Sequence, residues 1–137
     1  MATSDVHVRL QVGSETYAMS IENVLEVAEL GVLTPVPGAA SCVLGVRNFN
    51  GQVLPVFDLA QVLGTPRGGR PSRLLVADHG GRLAGLAVDG VTDVSSLTAE
   101  FESADSEYLT HAVLENGCLV GVVDIERLFA SLAGEAA

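Results

Sequence analysis

The sequence contains no lysine and no tryptophan, and no apolar run approaches the roughly 18 residues that a membrane-spanning helix needs. All seven basic residues are arginines, and with 17 acids they give a formal net charge of -10. Because an acidic chain repels phosphate backbones and anionic lipid, we expect neither nucleic acid binding nor membrane insertion. The first residues lack the basic and apolar regions of a signal peptide, so we expect a cytoplasmic protein.

Motifs for catalysis are also missing. The three histidines are isolated, and no G-x-S-x-G, P-loop or dinucleotide fingerprint occurs. Cys42 and Cys118 stand in apolar stretches without a close partner. We interpret them as reduced core residues, with a disulfide or metal role as the alternative. The sequence therefore predicts no catalytic residue, no metal site and no cofactor.

What the sequence does contain is apolar strand patterning with 48% apolar residues, which is typical of a globular domain. The stretch "VHVRLQV" (6–12) alternates perfectly, as a half-buried strand does. The stretch "ENVLEVAEL" is ambiguous, and we expect a helical turn followed by a strand. That strand would send Leu25 and Val27 inward and place Val24 and Glu26 on the opposite face.

Two Asn-Gly pairs predict tight hairpins, because a primed turn needs positive φ at its centre. The first, Asn50–Gly51, lies between "VLGVRNF" and "QVLPVF", and the second is Asn116–Gly117. Each hairpin is followed by an aspartate that can cap a helix. These are Asp58, before "LAQVL" and Gly64, and Asp124, before "IERLFASLA".

The two hairpin units also resemble each other. The stretch "NGQVLPVFDLAQVLG" (50–64) matches "NGCLVGVVDIERLFA" (116–130) at an offset of 66, and "IENVLEV" matches "VDGVTDV" at 67. Two matches in one order favour duplication of a small β unit. The alternative is that a hairpin followed by a capped helix is simply common.

Charged residues are grouped. Arg67, Arg70 and Arg73 lie in or beside a linker-like stretch (65–72), and an acidic loop spans 98–107. Three glutamates at 22, 26 and 29 form either a solvated face, an acidic contact for a basic partner residue, or a metal site. Apolar loops such as "GVLTPVPGAASCVLG" favour exposed patches, and such patches usually bind proteins.

These stretches resemble the CheW family of chemotaxis coupling proteins. The resemblance rests on "YAMSIENVLEV", "TPVPGAASCVLGVRNFNGQVLPVFDL", "GLAVDGVTDVSSLTAE", "EYLTHAVLENG" and "VVDIERLF", in family order from about residue 6 to 130. It implies a mainly β fold with two small five-stranded β-barrels around a shared apolar core. A short helix would follow the first barrel's hairpin, and a second helix would end the chain. Residues 1–137 would form one CheW-like domain, with subdomain 1 at about 15–80 and subdomain 2 at about 5–14 plus 81–137.

The resemblance also implies a function. Family members are non-enzymatic scaffolds that couple the helical tips of methyl-accepting chemoreceptors to the regulatory domain of a CheA-type histidine kinase, in cytoplasmic receptor arrays. Two alternatives stay open. One is an adaptor for another chemosensory output, such as pilus motility or second-messenger synthesis, and the other is a ligand-binding barrel that uses the inter-barrel groove. Weak self-association through exposed barrel edges stays open as well.

Carried over by position, the partner-binding residues lie on two stretches. The family usually has an arginine where this chain has Asn50, and asparagine cannot hold a carboxylate with two charge-assisted bonds. Arg47 could supply a cation from another direction, or could simply be solvated, and Asn48 could brace the turn. The expected partner-binding residues are Val24, Glu26, Gly45, Arg47, Asn48, Asn50 and Gly51.

Overall fold

The computed structural model describes residues 6–66, 69–97, 101–102 and 107–135. The elements are mostly strands, as the alternating patterns predicted. They are β1 (Val6–Val12), β2 (Glu15–Ser20), a 3₁₀ turn (Ile21–Asn23), β3 (Val24–Glu29), β4 (Val43–Phe49), β5 (Gln52–Asp58), α1 (Leu59–Leu63), β6 (Arg73–His79), β7 (Arg82–Val88), β8 (Gly90–Ser96), β9 (Phe101–Glu102), β10 (Leu109–Glu115), β11 (Cys118–Val123) and α2 (Ile125–Glu135). Of the predicted acidic loop, residues 98–100 and 103–106 lie outside the described residues, and so does Arg67 of the linker-like stretch.

The strands form two sheets. The first has the order β8-β1-β2-β11-β10-β9, and the second has the order β3-β6-β7-β5-β4. We call them the six-stranded and the five-stranded sheet. The predicted fold class is confirmed, with one difference in detail: the sheets are open and not closed barrels, because their outermost strands do not pair with each other.

The predicted duplication matches the pairing of the strands. An offset of 67 takes β1, β2 and β3 onto β6, β7 and β8 within one residue, and 66 takes β4 and β5 onto β10 and β11. Under this correspondence the two sheets have the same strand order, with β2 parallel to β11 and β7 parallel to β5. Each sheet thus combines the first hairpin of one repeat with the later strands of the other.

Because the repeats exchange their first hairpins, the strands are grouped differently from the subdomains expected from the sequence, which were about 15–80 and about 5–14 plus 81–137. The bound near residue 14 would separate β1 from β2, and the bound near residue 80 would separate β6 from β7. Both pairs instead stay together as antiparallel hairpins, in the six-stranded and the five-stranded sheet respectively. The reason is physical, since a hairpin closed by a short turn loses the least chain entropy by pairing with itself.

A central apolar cluster joins the two sheets. Leu10 and Met19 of the six-stranded sheet, Leu75 and Leu86 of the five-stranded sheet, and Leu128 of α2 all belong to it, and each is fully buried. The opposite face of each sheet has a smaller cluster of its own. The sheets are therefore bound to each other through a common core, as expected.

Local details confirm some predictions and correct others. Gly64 ends α1 in the left-handed region, at φ 71°, and Asp124 accepts a hydrogen bond from Arg127 N at 3.1 Å to cap α2. Asp58 stands at the N-cap of α1, but its side chain makes no cap hydrogen bond. Cys42 packs beside the central cluster, whereas Cys118 is exposed, so the prediction of a core position was wrong for Cys118.

The predicted facing of β3 was also wrong. The turn at Ile21–Asn23 and the strand that follows it are present, but Leu25 and Val27 are 53% and 41% exposed. The register of β3 against β6 shifts between Val24 and Glu26, so Leu25 occupies a β-bulge. A bulge resets the alternation of side chains, and it leaves Val24 packed against the central cluster.

Candidate protein-binding surface

The turn at Asn50–Gly51 is built as its sequence predicted. Both residues have positive φ, 50° and 83°, and Asn48 Oδ1 accepts a hydrogen bond from Gly51 N at 3.2 Å. Asn48 therefore braces the turn, while Asn50 itself is exposed. Val53, the cross-strand partner of Asn48, is 76% exposed, which leaves an aliphatic side chain beside the turn.

Gly45 lies in β4 at a position where no side chain fits. Its φ is 150°, and a Cβ there would lie 2.6 Å from the carbonyl oxygen of Thr34. Thr34 and Val46 exchange two backbone hydrogen bonds of 2.9 Å, which hold the loop after β3 against β4. Gly45 is buried, so its observable role is to let this loop approach the strand.

Arg47 closes the seam between the two outermost strands of the five-stranded sheet. Its Nη1 donates to the carbonyl oxygens of Glu29 and Leu30, each at 2.9 Å. Since β3 and β4 are at opposite ends of the strand order, these bonds show that the sheet curls until its edges approach. Arg47 thus links the end of β3 to β4, and this contact is structural.

The predicted partner-binding residues lie on the two outermost strands of the five-stranded sheet, β3 and β4, and on the turn after β4. The strand order makes β3 antiparallel to β4 across the seam. Arg47 lies beside the end of β3, at Glu29 and Leu30. Because β4 runs opposite to β3, the segment from Arg47 to Asn50 extends in the direction from Glu29 towards Glu26. Glu26 is exposed on β3 between Leu25 and Val27. Glu26 pairs with Val76 and Val27 with Leu75, so these two exposed side chains project to opposite faces of β3. We call the exposed segment Leu25–Val27, with the Asn50–Gly51 turn, the β3 surface.

A second exposed apolar surface was not predicted from sequence. Leu114 and Leu119 face each other across β10 and β11 and are 38% and 55% exposed. We call this pair the hairpin surface. It lies in the six-stranded sheet, whereas the β3 surface lies in the five-stranded sheet. The repeat carries a signal for it, because the offset of 66 aligns Leu114 with the polar Asn48, which is typical of an outward-facing position.

The sequence reasoning also missed a buried ion pair. Arg9 is 5% exposed, and its Nε and Nη2 donate to the two carboxylate oxygens of Glu115 at 2.9 and 2.6 Å. The same guanidinium donates to the carbonyl oxygens of Ser95 and Ser96 at 2.9 and 3.0 Å. Arg9 therefore connects three strands, β1, β8 and β10. In the sequence it occupied a polar place of an alternating strand, for which an outward orientation was the natural expectation.

The described residues offer little for other chemistry. In the described part of the chain, no group of three or more His, Cys, Asp and Glu residues is placed to hold a metal ion. No helix there has the length and apolarity to cross a bilayer. A cavity of about 270 Å³ between the five-stranded sheet and α2 is lined mainly by apolar residues, with Arg82 as its charged group.

Comparison with known proteins places this geometry in a family. The family model described as CheW-like domain matches residues 7–133. The chemotaxis protein CheW of Klebsiella aerogenes is 32% identical over 130 residues, 87% of this chain and 78% of that protein. The protein FrzA of Myxococcus xanthus is 42% identical over 83 residues, which are 59% of this chain and about half (52%) of FrzA.

A solved structure has the same fold. The crystal structure of scaffolding protein TtCheW from Thermoanaerobacter tengcongensis superposes with a TM-score of 0.81 at 24% identity, over 94% of this chain and 93% of that one. The two sheets with their shared core are therefore an architecture seen before. Because the family model matches residues 7–133, nearly the whole of this chain, the chain belongs to the CheW-like domain family.

Proposed function

We propose that this protein is a non-enzymatic scaffold that couples the cytoplasmic tips of chemoreceptors to a CheA-type histidine kinase within receptor arrays. The observation that carries the proposal is the presence of two separate exposed apolar surfaces, one on each sheet, on a body with one core. An adaptor needs two such surfaces at a fixed distance, since it acts by holding two partners in one geometry.

The β3 surface suits the receptor tip. Because β3 is an outermost strand, a helical hairpin lying along its edge can reach the aliphatic side chain of Val27 from one face and the carboxylate of Glu26 from the other. Leu25, at the bulge, adds a second exposed aliphatic side chain. An amphipathic helix recognised by such a surface buries its apolar face and pairs its charges at the rim. Val24, beneath them, fixes the strand against the core.

The hairpin surface suits the kinase regulatory domain. Leu114 and Leu119 form an exposed aliphatic cross-strand pair, which favours contact with an apolar surface of another β domain over contact with a charged helix. Single contacts of this size are weak, and repetition in an array raises their effective affinity. A receptor change that alters contacts at one surface can then shift the state of the kinase held at the other.

The test measures binding of the purified chain to a receptor-tip hairpin and to a kinase regulatory fragment. We expect Glu26→Arg to weaken receptor-tip binding by about tenfold, which corresponds to one charged contact, without changing kinase binding. Leu114→Ser with Leu119→Ser should do the reverse. Glu126→Gln, an exposed change on α2, serves as the control. Absence of binding to both fragments at tens of micromolar contradicts the proposal.

A second candidate is an adaptor of the same kind for a different chemosensory output. The similarity to FrzA, a relative that is not named as a chemotaxis protein CheW, supports this second candidate. Binding to the kinase fragment of one pathway and not of another distinguishes the two candidates. A ligand-binding role for the groove beside α2 is less favoured, because Arg82 is the one charged group among the described residues that line its cavity.

A further inference from the structure

A cleft lies at the end of β3, beyond the β3 surface. Its two adjoining cavities measure about 620 and 470 Å³ and share Leu30, Gly31, Arg70 and Pro71 in their linings. One wall is the loop after β3, and the other is the segment that leads into β6. Cavities of this size accommodate a few side chains of a peptide.

The base of the cleft is fixed by hydrogen bonds. Leu30 N donates to Ser72 O at 3.1 Å and so ties the two walls together. Arg47 holds the carbonyl oxygens of Glu29 and Leu30 from below. A preformed base lowers the entropy lost when a ligand is ordered on it.

The lining combines aliphatic groups with two cations. Val32 is 95% exposed, which is unusual for a valine, and Leu30, Leu33 and Leu44 lie half-buried beside it. The guanidinium groups of Arg70 and Arg73 are exposed, and within the described ranges neither takes part in an ion pair or hydrogen bond. The one acid among the described lining residues is Glu29, the cross-strand neighbour of Arg73.

The described lining of the cleft is basic although the chain as a whole is acidic. It contains two arginines, Arg70 and Arg73, and one acid, Glu29. The five-stranded sheet as a whole is not basic, since its five strands contain four acids and three arginines. The basic character is therefore confined to the cleft, and a Debye length of about 8 Å at physiological salt limits the effect of acids farther away.

We propose that this cleft binds an acidic, aliphatic-bearing peptide segment of a partner protein, its carboxylates held by Arg70 and Arg73 and its aliphatic side chain by Val32 and Leu33. Guanidinium groups bind carboxylates with paired, charge-assisted hydrogen bonds. The apolar walls favour a peptide over a small anion. This site is additional to the two surfaces of the proposed adaptor and does not depend on that function.

The test uses the full chain and two labelled peptides, Gly-Glu-Leu-Glu-Val-Glu-Gly and its counterpart with glutamine in place of each glutamate. We expect the glutamate peptide to bind at least tenfold more tightly by fluorescence anisotropy, roughly the value of one charge-assisted contact. Its binding should shift the backbone amide NMR signals of residues 30–33 and of Arg70, Ser72 and Arg73. Binding of neither peptide at millimolar concentration, or equal binding of both, overturns the proposal.

Variants locate the site. Arg70→Glu with Arg73→Glu should weaken binding of the glutamate peptide by about tenfold or more, and Val32→Ser should weaken binding of both peptides. Arg82→Glu, an exposed arginine of the same sheet outside the cleft, is the matched control and should change binding less than about twofold. Equal effects of the double variant and the control contradict the site.

Two further measurements separate this proposal from others. The double variant should still bind the receptor-tip and kinase fragments, so that failure of either proposal can be recognised by itself. Sedimentation of the protein alone should not change with Arg70→Glu and Arg73→Glu. If it does, the occupant is a second copy of the chain, and the assignment to a partner's peptide is wrong.

Discussion

At the scale of single residues, Gly45 is buried, yet it determines how closely the loop after β3 approaches β4. Backbone φ and the nearby Thr34 carbonyl oxygen leave no space for a side chain. The loop that it admits runs from the β3 surface to the cleft. A change at Gly45 therefore affects surfaces that the residue itself does not form.

We expect Gly45→Ala to lower the free energy of unfolding by about 2–4 kcal/mol, through backbone strain and the clash with Thr34. Urea unfolding measures this change. Gly69→Ala is the control, because a Cβ at Gly69 meets nothing within 4 Å and its φ is not positive. A loss at Gly45 no larger than at Gly69 contradicts the role assigned to Gly45.

Replacing Asn50 by arginine gives this turn the residue that the CheW family usually has at this position. Its φ of 50° suits asparagine better than arginine, so Asn50→Arg should lower stability by about 1 kcal/mol. If the turn contacts a partner carboxylate, the same variant should bind the receptor-tip or kinase fragment more tightly. Binding assays and urea unfolding, run on one preparation, measure both effects.

The chain supplies a matched control for this prediction. Asn116 has the same φ of 50° in the equivalent turn of the other sheet. Asn116→Arg should lower the free energy of unfolding by the same amount and leave receptor-tip binding unchanged. This comparison uses the receptor-tip fragment alone, because Asn116 lies between Leu114 and Leu119, the pair proposed to contact the kinase. Tighter receptor-tip binding by both variants would indicate a general charge effect and not a contact at the Asn50–Gly51 turn.

At the scale of elements, the two sheets fill equivalent places with different chemistry. The repeat aligns Arg9 with Val76 and Glu115 with Phe49, and both Val76 and Phe49 belong to the apolar cluster of the five-stranded sheet. The six-stranded sheet has an ion pair where its counterpart has apolar packing. The arginine of this pair also binds carbonyl oxygens of β8, which apolar residues could not do.

We expect Glu115→Gln to lower the free energy of unfolding by about 3 kcal/mol, because it leaves a buried guanidinium without its carboxylate. Arg9→Val combined with Glu115→Phe should recover most of that loss, as apolar replacement of a buried pair often does. Chemical unfolding of the three proteins tests this. Arg127→Gln, which removes the largely exposed pair with Asp124, should change stability by less than about 0.5 kcal/mol. A double variant less stable than Glu115→Gln contradicts the comparison.

The elements also show what a sequence can and cannot predict here. Turns at Asn50–Gly51 and Asn116–Gly117 followed from local chemistry, since few residues tolerate positive φ. The facing of β3 did not, because the bulge at Leu25 is set by pairing with β6. The Arg9–Glu115 pair and the closure of the seam by Arg47 were equally hidden, since both join residues far apart in sequence. The partner-binding residues as a set remain a prediction.

At the scale of the whole molecule, the central cluster makes the two sheets one cooperative unit. Leu128 of α2 is fully buried among side chains from both sheets. We expect Leu128→Ala to cost about 3 kcal/mol and to weaken both sheets together. Protection from amide hydrogen exchange at Leu10 and Leu75, one in each sheet, should fall by the same factor. Loss of protection in one sheet alone contradicts a single unit.

The exchange of hairpins has a consequence for synthesis on the ribosome. The segment β1–β2 is synthesised long before β11, yet Thr16 of β2 lies beside Val120 of β11. The six-stranded sheet can therefore form only after β11 has been made, and until then the β1–β2 hairpin lacks this neighbour. A truncated nascent chain would present an open strand edge, the feature that other chains capture most readily. Synthesis through β11 is therefore a condition for covering the edge of β2.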